Sequence, residues 1–316
     1  GLRYNSPESV ENSRSKLRQR QALRAAGLPV PEFFNFHVSE AIEPVLARAT
    51  FPCVLKPLRL SASQGVIRVN DPAEFRAAVV RIAKLLASAE VQVTREPELD
   101  RILVESYIPG AEMALEGLLV RGELRVLALF DKPDPLGGPY FEASIHTTPS
   151  RLSVDVQARI IECAQRTVRA VGCSEGPGHA EFRVNDEGPW VLEASPRPIG
   201  GLCSRVLRFG PERILLEDLL VRHAVGLPGA DLERESSAAG VMMIPVPSSG
   251  ILEEVAGEDQ AAAIPGVEEI HITARLYDFI AAWPEGSSYL GFIFARAESP
   301  QEVEAALRRA HAALHF

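Results

Sequence analysis

The chain has 316 residues, of which 46% are hydrophobic and 24% are charged, and its formal net charge is -9. This composition is typical of a globular protein with two or three subdomains, and the negative charge disfavours a nucleic-acid backbone as the main partner. No apolar run reaches the roughly 18 residues of a membrane-spanning helix. Residues 1–21 lack the apolar core of a secretory signal and the four cysteines lack metal-type spacing, so we expect a cytoplasmic protein with reduced thiols.

The first half of the chain shows alternating helical and extended patterns. In chain order, the predicted elements are a helix from Ser6-Pro7 to Gly27, a helix over 39–49, strands at 52–57 and 65–69, a helix over 71–86 that begins with an Asp-x-x-Glu capping box, and a strand at 101–108. The two strands at 52–57 and 65–69 flank a loop of small residues.

The second half begins with strands and helices and becomes rich in strands after a polar segment at 228–240. In chain order, the predicted elements are two strands within 110–132 joined around Arg121-Gly122, a helix over 153–172, a hairpin over 181–195, helices at about 201–209 and 212–225, and a last helix with the capping box Ser299-Pro300-Gln301-Glu302.

The predicted hairpin carries charges at facing positions. A three-residue loop with Gly188 in the left-handed position would pair residue 185 with 189, and therefore Glu181 with Glu193. Facing carboxylates repel each other across a strand pair. A divalent cation between them would turn this repulsion into a binding site.

Two further side chains share a strand face with Glu193. Ser195 and Arg197 follow at alternate positions, and alternate residues of a strand point the same way. Two carboxylates that bridge a cation and phosphate oxygens, with a guanidinium beside them, suit phosphoryl transfer to a carboxylate. Taken alone, the same residues also fit a surface ladder of Glu and Arg ion pairs.

Lys56 is the first residue that suits a phosphate. It lies near the end of a predicted buried strand, just before the small-residue loop that contains Ser61, Ser63 and Gly65. A phosphate needs backbone N–H groups and one long cation, and such a loop can close over it. A lysine at a strand end is usually only solvated, and so is one in an Arg-rich helix such as Lys16. Neither lysine is therefore diagnostic alone.

Taken in order, these motifs resemble the ATP-grasp superfamily over nearly the whole chain. The resemblance implies an α+β ATP-grasp fold, in which two α+β subdomains clasp ATP, followed by a C-terminal β-rich subdomain. It divides the chain into an N-terminal linker helix with the start of the ATP-grasp region (1–48), a small subdomain with phosphate loop and hinge (49–108), a large subdomain with the metal and substrate site (109–228), and the C-terminal subdomain (229–316). Because fifteen residues precede Lys16, we expect the separate α/β domain that usually comes before this helix to be absent.

The resemblance also implies which residues bind nucleotide and metal. Those that would bind ATP are Lys16, Lys56, Ser61, Ser63, Gly65, Glu105, Ser106, Tyr107, Ile108 and Glu112. Of these, the hinge from Glu105 to Ile108 would contact adenine, Glu112 would contact the ribose, and Lys56 would also act in catalysis. Glu181 and Glu193 would hold Mg²⁺ or Mn²⁺. Ser195 would be a further ligand, at a position where most members have asparagine.

Segments 135–152 and 238–272 resemble the amino-acid ligase group, which includes dipeptide synthetases and carnosine-synthase-like enzymes. This implies that an acyl phosphate forms from ATP and that an amine then attacks it, giving an amide or dipeptide, ADP and phosphate. The residues that would line the substrate end are Glu142, His146, Arg197, Gly200 and Gly201.

The implied partners are small carboxylates and amines, above all amino acids, with no nucleic acid and no membrane, and a homodimer stays open. Two alternatives also remain. One is another ATP-grasp enzyme, such as a carboxylase or a purine-pathway synthetase. The other is a non-catalytic ATP-binding module.

Overall fold

The computed structural model describes residues 1–134, 138–140, 144–227 and 232–316. The helices and strands are, in chain order, α1 Pro7–Arg14, α2 Lys16–Ala25, β1 Phe33–His37, α3 Ile42–Leu46, β2 Cys53–Pro57, β3 Ile67–Val69, α4 Pro72–Leu86, α5 Ala89–Gln92, β4 Arg101–Ser106, β5 Ala111–Val120, β6 Glu123–Lys132, β7 Ile145–Thr148, α6 Val154–Ala170, β8 Gly176–Asn185, β9 Gly188–Ser195, a 3-10 helix Cys203–Val206, β10 Arg208–Phe209, β11 Ile214–Leu215, α7 Leu216–Ala224, β12 Ala238–Ile244, β13 Gly250–Ile251, α8 Glu258–Ala262, β14 Val267–Ile272, β15 Phe279–Ile280, β16 Gly291–Ala297 and α9 Pro300–Ala313. None of the helices in these ranges combines the length and the apolar character that a bilayer crossing requires.

The smaller core lies under a four-stranded antiparallel sheet in the order β1-β4-β2-β3. Helix α4 covers it with a stripe of apolar side chains that includes the fully buried Phe75 and Ile82. The neighbouring strands β2 and β4 carry Lys56 and Glu105. Glu105 pairs with Val54 and Lys56 pairs with Leu103, so Lys56 and Glu105 are diagonal neighbours on this sheet.

The larger core is built on an eight-stranded sheet in the order β14-β16-β12-β7-β6-β5-β8-β9. The hairpin β8–β9 forms one edge, and the C-terminal strands β12, β16 and β14 continue the same sheet at the other end. The predicted α+β fold is confirmed by these two sheets and their helices. Strands from both sides of the predicted boundary at residue 229 belong to this one sheet, and the division into subdomains stays a prediction.

The predicted helix from Ser6-Pro7 to Gly27 is in fact two helices. Ser15 breaks it with extended dihedrals (φ -91, ψ 111), and its side chain caps α2 while its hydroxyl donates to Glu98 at 3.1 Å. The break turns Lys16 towards the segment that follows β2 and leads into the small-residue loop. There the backbone N–H of Lys16 donates to the carbonyl of Leu58 at 3.1 Å, and its ammonium donates to the carbonyl of Leu60.

The hairpin places Glu181 opposite Glu193, as predicted, but by a different route. Asn185 pairs with Gly188, so the turn has two residues and the predicted pairing of 185 with 189 is wrong. An irregularity between Glu181 and Phe182 adds one residue to the other strand and restores the facing carboxylates.

Three predicted helices differ from those in the structure. The helix over 39–49 is limited to Ile42–Leu46, and the helix at 201–209 is a 3-10 turn followed by strand β10. Gly201 and Leu202 both have positive φ (62 and 53), which an α-helix does not allow. The helix expected over 212–225 begins only at Leu216, because residues 214–215 pair as a strand.

Candidate active site

A cavity of about 450 Å³ is lined by strands of both sheets. The predicted site residues that line it are Lys16, Lys56, Ser61, Ser63, Glu105, Ser106, Tyr107, Ile108, Glu112, His146, Glu181, Glu193, Arg197, Gly200 and Gly201. Two predicted residues lie just outside this lining. They are Gly65, whose missing Cβ would meet Pro57 at 2.8 Å, and Ser195, the last residue of β9. Glu142 lies outside the described residues.

At the predicted nucleotide end, Glu105 is held between two protein cations. Its Oε2 accepts from the Lys56 ammonium at 2.6 Å, and its Oε1 accepts from Arg20 Nε at 2.5 Å. Burial opposes ionisation of Glu105, but Arg20 and Lys56 outweigh it and lower the pKa of this carboxyl to about 2. Both carboxylate oxygens are therefore engaged, and Glu105 positions the Lys56 ammonium at the wall of the cavity.

The predicted hinge is supported by two arginines that the sequence analysis did not single out. The guanidinium of Arg183 donates to the carbonyl of Ile108 at 2.8 Å and lies 5.0 Å from the ring centre of Tyr107. The guanidinium of Arg68 lies 4.0 Å from the same ring. Tyr107 is thus held by two cation–π contacts, which fix the conformation of the hinge.

Lys132, at the end of β6, is another cavity residue that the sequence analysis missed. Its buried ammonium donates to Glu112 Oε1 at 2.7 Å and to Glu181 Oε1 at 2.9 Å. Burial opposes the charge of Lys132, but Glu112 and Glu181 outweigh it and raise the pKa of this ammonium. Lys132 therefore stays charged and joins the predicted ribose ligand to the predicted metal ligand.

The two facing carboxylates suit a hard cation. Burial would raise the pKa of Glu181, but Lys132 and His179 hold it well below its ordinary value, so this carboxylate is ionised. Ser195 Oγ lies 3.3 Å from Glu193 Oε1. In the described part of the chain, no group of three or more His, Cys, Asp or Glu side chains could hold a metal. Two carboxylates fit Mg²⁺ where phosphate and water oxygens complete its shell, which is the usual arrangement for nucleotide-bound Mg²⁺.

His146, which also lines the cavity, is neutral at ordinary pH. Burial, followed by the charge of Lys132, lowers the pKa of this imidazole to about 3. His179 also lines the cavity and shares a strand face with Glu181, with its Nε2 at 3.6 Å from Glu181 Oε1. The sequence signal for His179 was its position two residues before a predicted metal ligand.

A hydrogen bond to Glu116 holds the segment that carries Arg197. This carboxyl is fully buried on β5, and it accepts the backbone N–H of Ile199 at 2.9 Å. Burial raises the pKa of Glu116 well above its ordinary value. Next to this contact, Gly201 lies against Met243 of β12, where an added Cβ would be 2.2 Å from the sulfur atom. The C-terminal part of the sheet therefore forms part of the cavity wall.

Comparisons with protein families agree with this architecture. A family model for an ATP-grasp domain matches residues 49–206, and a model for the L-amino acid ligase C-terminal domain 2 matches residues 242–316. An uncharacterized protein from Sinorhizobium fredii is 28% identical over 304 residues, which is 96% of this chain and 61% of that protein. The alanine–anticapsin ligase of Bacillus amyloliquefaciens is 26% identical over 254 residues, which is 74% of this chain and 52% of that ligase. The chain thus spans less than two thirds of the length of these relatives.

Solved structures show the same likeness. An L-amino acid ligase from Bacillus licheniformis superimposes with a TM-score of 0.83 at 28% identity, and covers 98% of this chain and 74% of that one. An N5-carboxyaminoimidazole ribonucleotide synthetase from Thermotoga maritima reaches a TM-score of 0.69 at 17% identity, over 98% of this chain and 74% of that one. The second likeness is one of fold alone.

Proposed function

The chain belongs to the ATP-grasp superfamily and to its L-amino acid ligase group, and from this premise we propose that it joins an amino-acid carboxylate to an amine at the expense of ATP. One observation supports the proposal above all. A single cavity brings together two lysines (Lys16 and Lys56), two facing carboxylates (Glu181 and Glu193) and the guanidinium of Arg197.

The proposed reaction has two steps. A carboxylate oxygen of the first substrate attacks the γ-phosphorus of ATP, and ADP leaves. The nitrogen of the second substrate then attacks the acyl carbon, the bond from that carbon to the phosphate oxygen breaks, and the nitrogen loses its extra proton. Such a sequence requires cations around the transferred phosphoryl group and a separate place for the amine.

The lysines and Arg197 are assigned to the phosphoryl group. Lys16 and Lys56 would bind the ATP phosphates, with Lys56 held in place by its 2.6 Å ion pair to Glu105. Arg197 would stabilise the negative charge on the phosphoryl group and on the tetrahedral intermediate. Mg²⁺ held by Glu181 and Glu193, when bound, would supply further positive charge to the phosphate oxygens.

The amino-acid end is assigned to the other side of the cavity. A neutral His146 can donate or accept a hydrogen bond there without adding charge, and Gly200, whose missing Cβ would have only Arg197 Nη1 near it at 4.0 Å, leaves its backbone open to a close approach. Met243 limits the space on this side of the cavity, because its sulfur occupies the position next to Gly201.

A screen for phosphate release over pairs of amino acids tests this function. The expected result is release that requires ATP, Mg²⁺ and both amino acids, with formation of ADP and an amide product. With the acid substrate alone, added hydroxylamine should trap a hydroxamate while ADP accumulates. AMP as the nucleotide product would refute the acyl-phosphate route, and phosphate release that requires bicarbonate instead of an amine would indicate a carboxylase.

A second function is favoured by one residue. Ser195 stands where most superfamily members have asparagine, and its shorter side chain lies 3.3 Å from Glu193 Oε1. A serine that fails to complete the metal site would leave a module that binds nucleotide without turnover. Ser195→Asn separates the two functions: a catalyst already releases phosphate with some substrate pair as the wild type, whereas a binding module whose metal site Ser195 leaves incomplete releases none as the wild type and gains release only as Ser195→Asn.

A further inference from the structure

The loop that contains Ser61 and Ser63 is hydrogen-bonded to the C-terminal part of the chain. Residues 60–63 of this loop line the cavity, and we call residues 60–65 the phosphate loop. On its outer side, the Trp283 indole N–H donates to the carbonyl of Ala62 at 3.0 Å. The backbone N–H of Gly65 donates to the carbonyl of Pro284 at 2.9 Å.

Two side chains extend this connection. Gln64 Nε2 donates to the carbonyl of Glu285 at 2.8 Å, and the Glu285 carboxylate forms an ion pair with Arg81 of α4, in which Nη2 donates to Oε2 at 2.7 Å. Both partners of this ion pair are 41% exposed, so it contributes less than the buried contacts. Residues 283–285, here called the latch, thus bond both to the phosphate loop and to the helix behind it.

Trp283 is the anchor of the latch. It is 6% exposed and packs in the core beneath the C-terminal strands. Its ring lies 4.9 Å from that of Tyr289, and Tyr289 lines the cavity. A loop bonded to a fully packed tryptophan cannot lift unless it first gives up these hydrogen bonds. The anchor therefore connects the phosphate loop to Tyr289 in the wall of the cavity.

We propose that Trp283 is a positioning residue which, through the latch, holds the phosphate loop over the nucleotide and slows nucleotide release. The proposal rests on the proposed function in one respect, namely that nucleotide phosphates lie under this loop. A nucleotide in that position leaves only after the loop lifts, so each bond between latch and loop adds to the barrier for release.

Trp283→Phe is the first test, because phenylalanine keeps an aromatic ring in the core while it removes the indole donor together with part of the ring volume. The chain has two tryptophans, and the second offers a matched control. Trp190 Nε1 donates to Asn185 Oδ1 at 3.3 Å at the turn of β8 and β9, so Trp190→Phe removes an equivalent bond elsewhere.

The first measurement is hydrogen exchange of the phosphate loop without nucleotide. Loss of one neutral hydrogen bond should speed exchange of the loop amides, above all that of Gly65, by about two- to tenfold. Trp190→Phe should leave this exchange unchanged. Equal exchange in Trp283→Phe and the wild type would overturn the latch.

The second measurement is the rate at which a fluorescent ADP, bound with Mg²⁺, is displaced by excess unlabelled ADP. Trp283→Phe should raise this rate by about two- to tenfold. Arg81→Glu should raise it by a smaller factor, and the exchange of charges in Arg81→Glu with Glu285→Arg should bring it back towards the wild-type rate.

The two measurements separate the inference from the function it rests on. Faster loop exchange with unchanged ADP release would refute the role of the latch in holding nucleotide. If the wild type fails to bind fluorescent ADP, the proposed nucleotide site is wrong, while the exchange experiment still decides whether Trp283 holds the loop.

Discussion

Glu105→Gln tests whether the nucleotide end of the cavity depends on a buried ion network. The substitution keeps the shape of the side chain and removes the charge that lies between Arg20 and Lys56. The side chains of Arg20 and Glu105 are each 3% exposed, so water cannot replace the lost carboxylate. We expect a large loss of stability, because the change leaves a buried guanidinium without its anion.

The magnitude follows from the pKa of Glu105. Its depression from the ordinary value of 4.5 to about 2 corresponds to roughly 3 kcal/mol of stability at neutral pH. Because the folded-state pKa is lowered, this stability is fully present above about pH 4.5 and is lost as the pH falls from there towards 2. The gap between the wild type and Glu105→Gln should therefore narrow to about 2 kcal/mol at pH 3.5.

The assay is urea unfolding of both proteins at pH 7 and at pH 3.5. A matched control is Glu43→Gln, since Glu43 forms an exposed ion pair with Arg76 at 2.9 Å, with side chains 65% and 44% exposed. Pairs of this kind contribute little, so the control should stay within about 1 kcal/mol of the wild type at both pH values.

Two results would refute the reasoning. A Glu105→Gln variant as stable as the Glu43→Gln control at pH 7 would mean that the Arg20–Glu105–Lys56 network contributes nothing to the folded state. A stability gap that widens as the pH falls would mean that the folded-state pKa of Glu105 is raised, opposite to the expected sign.

Four further substitutions probe the cavity and its frame. Glu181→Gln and Glu193→Gln should each abolish Mg²⁺-dependent turnover, since an amide cannot balance a cation; near-normal turnover of both at saturating Mg²⁺ would contradict the metal assignment. Arg197→Lys should lower kcat about a hundredfold with little change in ATP affinity, because lysine lacks the planar two-pronged donor geometry; a defect in affinity alone would remove Arg197 from the reacting centre. Gly110→Ala should destabilise the fold by more than about 1 kcal/mol in urea unfolding, because its φ is 127 and an added Cβ would lie 2.3 Å from the carbonyl oxygen of Val184. A neutral effect would show that the hinge turn tolerates other conformations.

Elements with strong local signals could be predicted from the sequence. The capping box at Ser299 and Glu302 is present with both reciprocal bonds at the start of α9. The turn at Arg121-Gly122 joins β5 to β6 as expected, with positive φ at both residues (52 and 82). In each case, residues within four positions of one another determine the conformation, so the sequence is sufficient.

The contacts of the Lys132 ammonium with Glu112 and Glu181 could not be predicted from local signals of this kind. A regular register from the Arg121-Gly122 turn would place Glu112 opposite Asp131. The irregularity between Glu116 and Gly117 shifts the register by one, and Glu112 therefore faces Lys132. A bulge of this kind depends on packing across the whole sheet, which no local pattern reports.

The break at Ser15 has the same kind of cause. Local propensity continues the helix from α1 into α2, since no proline or glycine interrupts it. What stabilises the break is distant in sequence: the Ser15 hydroxyl bonds to Glu98, and the N–H of Lys16 bonds to Leu58. The position of the first predicted ATP lysine thus depends on contacts that only the folded chain provides.

The buried charges also determine how substitutions in the cavity must be interpreted. Glu112 and Glu181 share the ammonium of Lys132. An amide at either position therefore removes an ion-pair partner of Lys132 as well as a predicted ribose or metal ligand. Among the described residues, Glu193 has no ion pair within 4.0 Å, and its carboxylate contacts the Ser195 hydroxyl instead. Glu193→Gln is therefore the cleaner probe of the metal role. Glu193→Gln should lose turnover while its stability stays nearly unchanged, whereas Glu181→Gln should lose turnover and stability. A stable but inactive Glu181→Gln variant would mean that Lys132 does not need its second carboxylate to remain buried.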